Sequence, residues 1–109
     1  MAFRSPSIGC FKLAQFDVHR FGGDLVVNCQ SDLLSELETR AVVPLVPRAR
    51  APKAAGRFNP VFVIDGEDHV MTTQFIGAVE RNRLGAVVAS LVDRSYEITG
   101  AIDVLTGGV

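Results

Sequence analysis

Apolar and polar positions alternate with a period of two near the start of the chain. In QFDVHRF, residues 15–21, Phe16 and Val18 point to one face and the polar residues between them to the other, which is the pattern of a half-buried strand. Gly22 and Gly23 then supply the positive φ values that a tight hairpin needs. The run DLVVNCQ, residues 24–30, is therefore predicted to be the return strand.

The next segments predict a turn, a third strand and a loop. SDLLSELETR, residues 31–40, begins with turn-forming side chains and has no β-branched residue before Thr39, which indicates a loop or a single helical turn. TRAVVPLVP, residues 39–47, is a predicted strand that lies at an edge or bends at Pro44, because proline cannot donate to a ladder. RARAPKAAGRFN, residues 48–59, is predicted to be an exposed loop.

The clearest hairpin signal lies within PVFVIDGEDHVMTTQF, residues 60–75. Two apolar runs flank Asp65-Gly66-Glu67-Asp68, and an Asp-Gly pair in such a connection strongly favours a hairpin. GAVERNRLGAVV, residues 77–88, predicts one more strand and a turn at Gly85.

The apolar period changes to that of a helix near the C-terminus. The residues that recur at i, i+7, i+10, i+11 and i+14 are Leu91, Ile98, Ala101, Ile102 and Leu105, which share one helix face. Ser90 is predicted to cap this helix, with Asp93 at the third position. Strands followed by a single terminal helix indicate a small α+β or barrel-like domain.

Composition places the chain among ordinary globular proteins. Its 109 residues suit one domain, and 48% are apolar while 21% are charged. A formal charge of -1 excludes the strongly basic surface of a general nucleic-acid binder. No apolar run is long enough to span a membrane and no signal peptide is evident, so we expect a cytoplasmic protein with reduced cysteines, Cys29 being packed as a small apolar side chain.

Motifs for catalysis, metal binding and phosphate binding are absent from the sequence. His19 and His69 fall on different predicted strands without partners at metal-ligand spacing, so both are interpreted as solvent-facing strand residues and no metal is expected. The acids of residues 65–68 are interpreted as turn residues. No glycine-rich nucleotide motif is present, so no cofactor is expected.

Three features are candidates for partner binding. The loop at residues 48–59 carries four cations and no acid, which suits either an acidic partner or RNA, or a plain solvated loop. Leu33 and Leu34 are adjacent in a turn and cannot easily share one core, so we expect one of them to lie on the surface near a partner. The tail at residues 106–109 is either a frayed terminus or a functional end.

Four segments together carry a resemblance to a known family. VVNCQSDLL and TRAVVPL stand beside the patterns V-D-V-Q-S-D-hydrophobic-hydrophobic and R-hydrophobic-V-hydrophobic-P-L. NPVFVIDGEDHVMTTQ is similar to a P-x-hydrophobic-x-hydrophobic segment ending in M-x-T-x, and EITGAIDVLTGGV to a terminal helix with a hydrophobic-x-G-hydrophobic tail. In order and spacing, residues 15–109 resemble the CcdB family of bacterial toxins. Residues 1–14 have no counterpart and are predicted to be a poorly ordered extension.

The resemblance implies a mostly β, α+β fold: a small SH3-like barrel of the CcdB and MazF type, with an antiparallel sheet and one C-terminal helix. It also implies a homodimer whose helices and tails enter the A subunit dimer of DNA gyrase and trap the gyrase–DNA cleavage complex. A CcdA-like antitoxin neutralises such toxins, and DNA is contacted only through the toxin–antitoxin complex, which serves plasmid maintenance and regulates transcription. The toxin itself is not an enzyme.

The resemblance also assigns residues to gyrase. Leu33 and Leu34 match two apolar residues near the gyrase-facing surface, and Asp103 stands where the best-known members have an asparagine. The terminal aromatic-tryptophan-glycine-isoleucine of those members is matched by Thr106, Gly107, Gly108 and Val109. Gly107 departs from the pattern, because the family's indole at this position stacks on an arginine of gyrase.

Other expectations accompany this resemblance. The residues expected to meet an acidic segment of the antitoxin, on charge alone, are Arg48, Arg50, Lys53 and Arg57. One alternative is a degenerate homologue that keeps its antitoxin surface but poisons nothing, which Gly107 favours. Another is a MazF-like endoribonuclease, for which a catalytic arginine, Arg40 or Arg57, would need a hydroxyl nearby from Thr39 or Ser31.

Overall fold

The computed structural model describes residues 13–107, which form one antiparallel sheet and one α-helix. The strands are β1 (Asp17–Phe21), β2 (Asp24–Asn28), β3 (Thr39–Pro47), β4 (Val61–Ile64), β5 (Glu67–Met71), β6 (Gly77–Glu80) and β7 (Val87–Ser90), and the helix α1 spans Ser95–Leu105. Short 3-10 turns lie at Asp32–Leu34, Gly56–Phe58, Thr73–Phe75, Arg81–Arg83 and Val92–Arg94. The sheet curls into a half-barrel, so the predicted mostly β fold with one C-terminal helix is confirmed.

The strand β3 is the centre of the sheet, whose order is β4-β5-β3-β2-β1-β7. One edge of β3 pairs with β2, while the other pairs with β6 along residues 39–42 and with β5 along residues 45–47. Of the two predicted alternatives, an edge strand or a bend at Pro44, the first is wrong, because β3 has partners on both sides and Pro44 lies between β5 and β6. Its carbonyl accepts from the Thr72 N–H (3.0 Å), so the missing donor of Pro44 faces this junction and interrupts no ladder.

Both predicted hairpins are confirmed. β1 and β2 are joined by Gly22 and Gly23, and Gly22 has a φ of 62°. The connection from β4 to β5 is shorter than predicted, because it consists only of Asp65 (φ 53°) and Gly66 (φ 79°), a pairing typical of a primed two-residue turn. The other two acids of the predicted turn are the first residues of β5.

Residues 77–88 form parts of two strands where one was predicted. The 3-10 turn at Arg81–Arg83 and a short extended segment separate β6 from β7. Gly85 lies in that segment, donates its N–H to the Arg20 carbonyl (2.7 Å), and would bring a Cβ within 2.9 Å of the same oxygen. Glycine is therefore needed here for close backbone approach, and this contact sets β7 against β1.

The core lies between the sheet and α1. The buried residues that form it are Phe16, Val18, Val27, Val43, Leu45, Phe62, Ile64, Met71, Leu91, Ile98 and Ala101. Leu105, predicted on the buried helix face, is partly exposed because it lies in the last turn, past the sheet. The helix also begins later than predicted, and Ser90 does not cap it: the Ser90 Oγ accepts from the Val92 N–H (3.3 Å) at the start of the preceding 3-10 turn. Within residues 13–107 no helix is long and apolar enough to cross a membrane.

The two histidines are buried, which contradicts the prediction that they face solvent. His19 has no exposed surface, and its Nδ1 lies 3.0 Å from the Gly85 carbonyl. Because a carbonyl only accepts, Nδ1 carries the proton, and Nε2 has no hydrogen-bond partner among the described residues. His69 is similarly buried, with Nδ1 2.9 Å from the Glu67 carbonyl. The half-barrel covers both of its faces at these strands, which alternation alone does not predict.

The last two residues of the predicted N-terminal extension contact the sheet. The Asn28 side-chain amide donates to the carbonyls of Leu13 (2.9 Å) and Ala14 (3.1 Å). Residues 1–12 lie outside the described residues.

Cys29, next to Asn28, packs against the core, and burial raises the pKa of its thiol to about 12.

Candidate functional site

Leu33 and Leu34 lie on the 3-10 turn that joins β2 to β3, and we call residues 31–35 the leucine turn. The Ser31 Oγ accepts from the Leu33 N–H (3.1 Å), and the Ser31 carbonyl accepts from the Leu34 N–H (2.9 Å). Leu33 is 94% exposed and Leu34 is 50% exposed. We expected one of the two to reach the surface, and both do.

Neighbouring side chains hold the leucine turn in place. Gln30 donates through Nε2 to the Leu34 carbonyl (3.0 Å) and accepts through Oε1 from the Ala41 N–H (3.1 Å). On the other side, the Gln15 N–H donates to the Asp32 carboxylate (2.9 Å). A loop that is already ordered loses less conformational entropy when it binds. The turn therefore presents Leu33 to solvent in a fixed position.

Arg40 lies buried at the far end of the same loop, with only 3% of its surface exposed. Its Nη2 donates to the Ser35 carbonyl (2.7 Å), and its Nη1 donates to the carbonyls of Leu37 (2.6 Å) and Thr39 (2.9 Å). A buried charge is costly unless its donors are hydrogen-bonded, and here three carbonyl dipoles provide that compensation. The guanidinium therefore fixes the chain between the leucine turn and β3.

Arg94 attaches the start of α1 to the sheet. It forms an ion pair with Glu97, in which Nη2 lies 2.8 Å from Oε2, and its guanidinium lies 4.7 Å from the centre of the Phe62 ring. The hydrogen bond from Arg94 lowers the pKa of Glu97, and the same bond raises the pKa of Arg94. Both side chains of the ion pair are almost half exposed, so this attachment is open to solvent.

The end of α1 carries the other residues predicted to contact gyrase. Asp103 and Thr106 are exposed, and the Thr106 Oγ1 donates to the Ile102 carbonyl (3.1 Å). Gly107 follows with a φ of 82°, a left-handed conformation that ends helices and suits glycine. Gly108 and Val109 lie outside the described residues.

The four predicted antitoxin-binding cations divide into two pairs. Arg48 lies 3.4 Å from Asp68 and Arg50 lies 3.9 Å from Asp24, in two exposed ion pairs. Lys53 and Arg57 form no ion pair within residues 13–107. Exposed pairs contribute little to stability, so all four cations are open to exchange with an acidic partner.

A cavity of about 590 Å³ opens between α1 and the segment that precedes β4. The residues that line it are Gly56, Arg57, Pro60, Tyr96, Glu97, Thr99, Gly100 and Asp103. The fold thus brings together Arg57, predicted to bind the antitoxin, and Asp103, predicted to bind gyrase. No cluster of His, Cys, Asp or Glu in the described part of the chain is arranged to hold a metal ion.

The leucine turn and α1 pack against different parts of the chain. The turn precedes β3 and adjoins β6, where the Arg81 N–H donates to the Glu38 carbonyl (2.8 Å). The helix packs chiefly against the 3-10 turns at Gly56–Phe58, Thr73–Phe75 and Val92–Arg94. The residues predicted to contact gyrase therefore form two separate groups within one chain.

Sequence reasoning missed the residues that position this surface. Gln30 and Arg40 act on the leucine turn through backbone atoms several residues away, and period-two alternation gives no sign of such contacts. Tyr96 was also missed, although its exposure follows from a helical wheel on which Ile98 and Ala101 face the core. The wheel is thus the signal that identifies Tyr96.

A comparison with protein-family models gives a match over most of the chain. The protein-family model described as CcdB protein matches residues 15–108. No curated protein matches the chain. The matched span includes the leucine turn, every strand and α1, so the whole of the sheet and helix falls within this one family.

Proposed function

Because the chain belongs to the CcdB family, whose members are the toxins of toxin–antitoxin pairs, we propose that it binds the A subunit of DNA gyrase and traps the gyrase–DNA cleavage complex. It acts in the cytoplasm by binding alone and catalyses no reaction. A CcdA-like antitoxin neutralises it by binding the toxin in competition with gyrase.

The observation that carries this proposal is the exposure of Leu33 on an ordered turn. Single exposed leucines are common and carry no message by themselves. Here, however, Ser31, Gln30 and Asp32 fix the backbone around a leucine that is 94% exposed. Complete burial of a leucine side chain contributes about 1.5–3 kcal/mol. An ordered, fully exposed leucine is thus suited to anchor a protein interface.

The helix end provides the second part of the proposed interface. Asp103 and Thr106 are exposed there, and the glycines of the tail add no bulk in a cleft between two gyrase subunits. Gly107 supplies no aromatic ring, so this end contributes less to affinity than it does in members with a tryptophan. Interface tryptophans are frequent hot spots worth 2 kcal/mol or more. The leucine turn therefore carries a larger share of the binding energy.

A homodimer completes the proposed interface. In one chain the leucine turn and the helix end form two separate groups of residues. A two-fold symmetric pair duplicates both groups, and a symmetric target such as the gyrase A dimer can then meet one copy of each group in each half. The dimeric state follows from the family resemblance and is tested by the mass of the purified toxin in solution.

The antitoxin is proposed to bind the cations of residues 48–57. The ion pairs Arg48–Asp68 and Arg50–Asp24 are exposed, so carboxylates of an acidic segment can replace their partners at little cost. Exposed charge pairs weaken as ionic strength rises. A toxin–antitoxin complex whose affinity does not change with salt would contradict this assignment.

The geometry argues against an endoribonuclease built on Arg40. Its guanidinium is buried and donates to three backbone carbonyls, and the Ser31 hydroxyl already accepts from Leu33. One observation favours a second candidate, a homologue that binds the antitoxin without poisoning gyrase. This is Gly107, which lacks the ring that stacks on gyrase in the family's best-known members.

Induced expression in a bacterial host separates these functions. We expect growth arrest with gyrase covalently trapped on DNA and with intact messenger RNA. Messenger decay without trapped gyrase would indicate the endoribonuclease. Binding of the antitoxin with neither effect would indicate the degenerate homologue, and purified toxin that fails to bind the gyrase A subunit would overturn the main proposal.

A further inference from the structure

The face of the sheet that points away from the core carries a second apolar surface. Side chains alternate between the two faces of a strand, so Val26 on β2 and Val42 on β3 point away from the core that their neighbours Val27 and Val43 join. A groove of about 430 Å³ lies on this face. Its apolar lining includes Val26, Val42, Pro44, Val46, Phe75 and Val79. We call it the outer groove.

The outer groove has a buried floor and an exposed aromatic wall. Val26 and Val42 each expose only 4% of their surface, whereas Phe75 is 62% exposed. Asp24 and Arg50 supply the charged part of the lining, 3.9 Å apart and both exposed. Apolar surface that is exposed around a groove marks a place where a polypeptide segment binds. The groove therefore suits a segment with apolar side chains for the floor and a cation for the Asp24 carboxylate.

The N-terminal part of the chain joins the sheet on the same face. Asn28 follows Val26 by two residues on β2, so its side chain points to the side of the outer groove. Its amide donates to the carbonyls of Leu13 (2.9 Å) and Ala14 (3.1 Å). Val42, on the floor of the groove, is the register partner of Asn28 on β3. The chain therefore enters the domain beside the groove.

Residues 1–12 are long enough to fill the outer groove. An extended chain spans at most about 3.3–3.6 Å per residue, so twelve residues can reach about 40 Å from Leu13. The floor from Val42 to Val46 covers four residues of β3, or about 13 Å. A few residues before Leu13 are therefore enough to follow the floor from end to end, and the others remain to reach its charged part.

The composition of residues 1–12 matches the lining of the groove. MAFRSPSIGCFK contains three large apolar side chains from Phe3, Ile8 and Phe11, and it contains two cations and no acid. Apolar side chains suit the valine floor, and a cation suits the exposed carboxylate beside it. The match to the family model begins at residue 15, so this segment is a feature of the chain outside the span that the model covers.

We propose that residues 1–12 dock in the outer groove of their own chain. Ile8 and Phe11 cover the floor and the Phe75 ring, and Arg4 lies near the carboxylate in the charged part of the groove. Because the segment is joined covalently to the domain, docking is intramolecular and its effective concentration is of millimolar order. A weak contact is therefore enough to keep the groove occupied. The inference depends on neither gyrase nor the antitoxin.

The test places a spin label on Cys10, inside the docking segment, and detects its approach to the groove by NMR. Burial raises the pKa of the Cys29 thiol to about 12, so this thiol holds little reactive thiolate at neutral pH and a nitroxide reagent labels Cys10. In the labelled full-length protein, the amide signals of Gly77 and Val79 in the groove should lose most of their intensity. The amide signal of Asp103 on α1 should keep its intensity. Cys29→Ser should give the same pattern, which confirms the position of the label.

Two double variants of the full chain separate docking from the effect of the covalent connection. Ile8→Asp with Phe11→Asp places charges where apolar burial is proposed, so it should restore most of the signal intensity of Val79. Ser5→Asp with Ser7→Asp adds the same charge at polar positions of the same segment, and the Val79 signal should stay as weak as in the labelled parent.

Each of the remaining outcomes would overturn the inference. Full signals from Gly77 and Val79 in the labelled parent would show that the segment does not enter the groove. Equal loss of signal in both double variants would show that the covalent connection alone brings the label near. If the loss appears when spin-labelled chains are mixed with separate isotope-labelled chains, a second copy fills the groove in place of the chain's own segment.

Discussion

The leucine turn and α1 are each held in part by one arginine, but the two arginines differ in their exposure to water. Arg40, which holds the loop after the leucine turn, is buried and donates to three backbone carbonyls. Arg94, which holds the start of α1, forms an exposed ion pair with Glu97 and lies over the Phe62 ring. The contribution of Arg40 comes from the hydrogen bonds of a buried guanidinium, and that of Arg94 comes from an exposed ion pair.

Burial determines how much each arginine contributes to the free energy of unfolding. Polar groups left unpaired in a buried place cost about 1–3 kcal/mol each, whereas exposed ion pairs contribute about 0.2–1 kcal/mol. The exposed pair is also screened by salt and depends on pH, while buried hydrogen bonds to neutral carbonyls are not. The leucine turn should therefore be rigid under all conditions in which the protein folds, and the start of α1 should loosen in acid or salt.

Removal of the buried arginine should have the largest effect. Arg40→Ala removes the Arg40 donor from the carbonyls of Leu37 and Thr39 and leaves the Ser35 carbonyl only the long bond from Arg81 Nη1 (3.5 Å), and we expect the free energy of unfolding to fall by about 3 kcal/mol. The free energy of unfolding of Arg40→Lys should lie between those of the parent and Arg40→Ala, because an ammonium cannot reproduce the planar set of N–H donors of a guanidinium. Urea unfolding measures both.

Arg81→Ala is the matched control for Arg40. Arg81 is an exposed arginine near the same loop, 3.8 Å from Glu38, and its loss should change the free energy of unfolding by less than about 0.5 kcal/mol. If Arg40→Ala and Arg81→Ala lowered the free energy of unfolding equally, the burial of Arg40 would not explain its contribution to stability.

Leu33→Ala should separate binding from stability. Leu33 contributes nothing to the core, so the free energy of unfolding should stay within about 0.5 kcal/mol of the parent. Affinity for the gyrase A subunit should fall by about 2 kcal/mol, or roughly 30-fold, because an interface anchor is lost. Calorimetric titration measures the affinity.

Val63→Ala provides the comparison for Leu33. Val63 is an exposed apolar residue on β4, outside the proposed interface. Val63→Ala should leave the affinity for gyrase unchanged. If both Val63→Ala and Leu33→Ala lost affinity, the cause would be a general effect of shortening surface side chains, and Leu33 would not be an anchor.

Arg94→Ala should have a smaller effect than Arg40→Ala. It removes an exposed ion pair and a cation–π contact, together about 1 kcal/mol of the free energy of unfolding. Amide exchange should be faster in the first turn of α1 and unchanged in the leucine turn. Arg83→Ala serves as control, since Arg83 lies 6.0 Å from the Phe21 ring and should contribute less. Faster exchange in the leucine turn would show that the two regions are not independent.

Local sequence patterns predicted the strands, turns and helix of this fold, but not the contacts that these elements make with one another. The Gly22-Gly23 and Asp65-Gly66 turns and the helical period of residues 98–102 depend on neighbours in sequence, and all were predicted correctly. Pro44 was assigned to an edge or a bend of its strand because the gap between β5 and β6, where its missing donor lies, exists only in the assembled sheet. His19 was assigned to the surface because nothing nearby in sequence reveals that both faces of β1 are covered.

In the candidate site, too, features that depend on neighbours in sequence were predicted, and features that depend on distant residues were not. The exposure of one leucine of the Leu33–Leu34 pair was predicted, because an apolar pair within a turn cannot be buried easily, and the structure exposes both. The buried role of Arg40 was not, since its three acceptors are carbonyls, which every residue has and which no residue type marks. The groove beside Gly100 depends on how α1 packs against residues 56–60, forty positions away in sequence. Motifs and periodicity describe residues that are close in sequence, so they cannot predict a contact between residues so far apart in the chain.

The smallest predicted effect tests the exposed attachment by pH. The pKa of Glu97 is lowered in the folded protein by its hydrogen bond from Arg94, so the ionised form contributes stability at neutral pH. That contribution is fully present above the unfolded pKa of about 4.3 and is lost as the pH falls through the lower folded value. Glu97→Gln should therefore destabilise the protein by a few tenths of a kcal/mol at pH 7 and by nothing near pH 2, a difference that urea unfolding at the two pH values measures. The neutral-pH difference should also shrink in 1 M salt, where the screening length is about 3 Å. A difference between parent and variant that persists at low pH would show that Glu97 acts through packing and not through its charge.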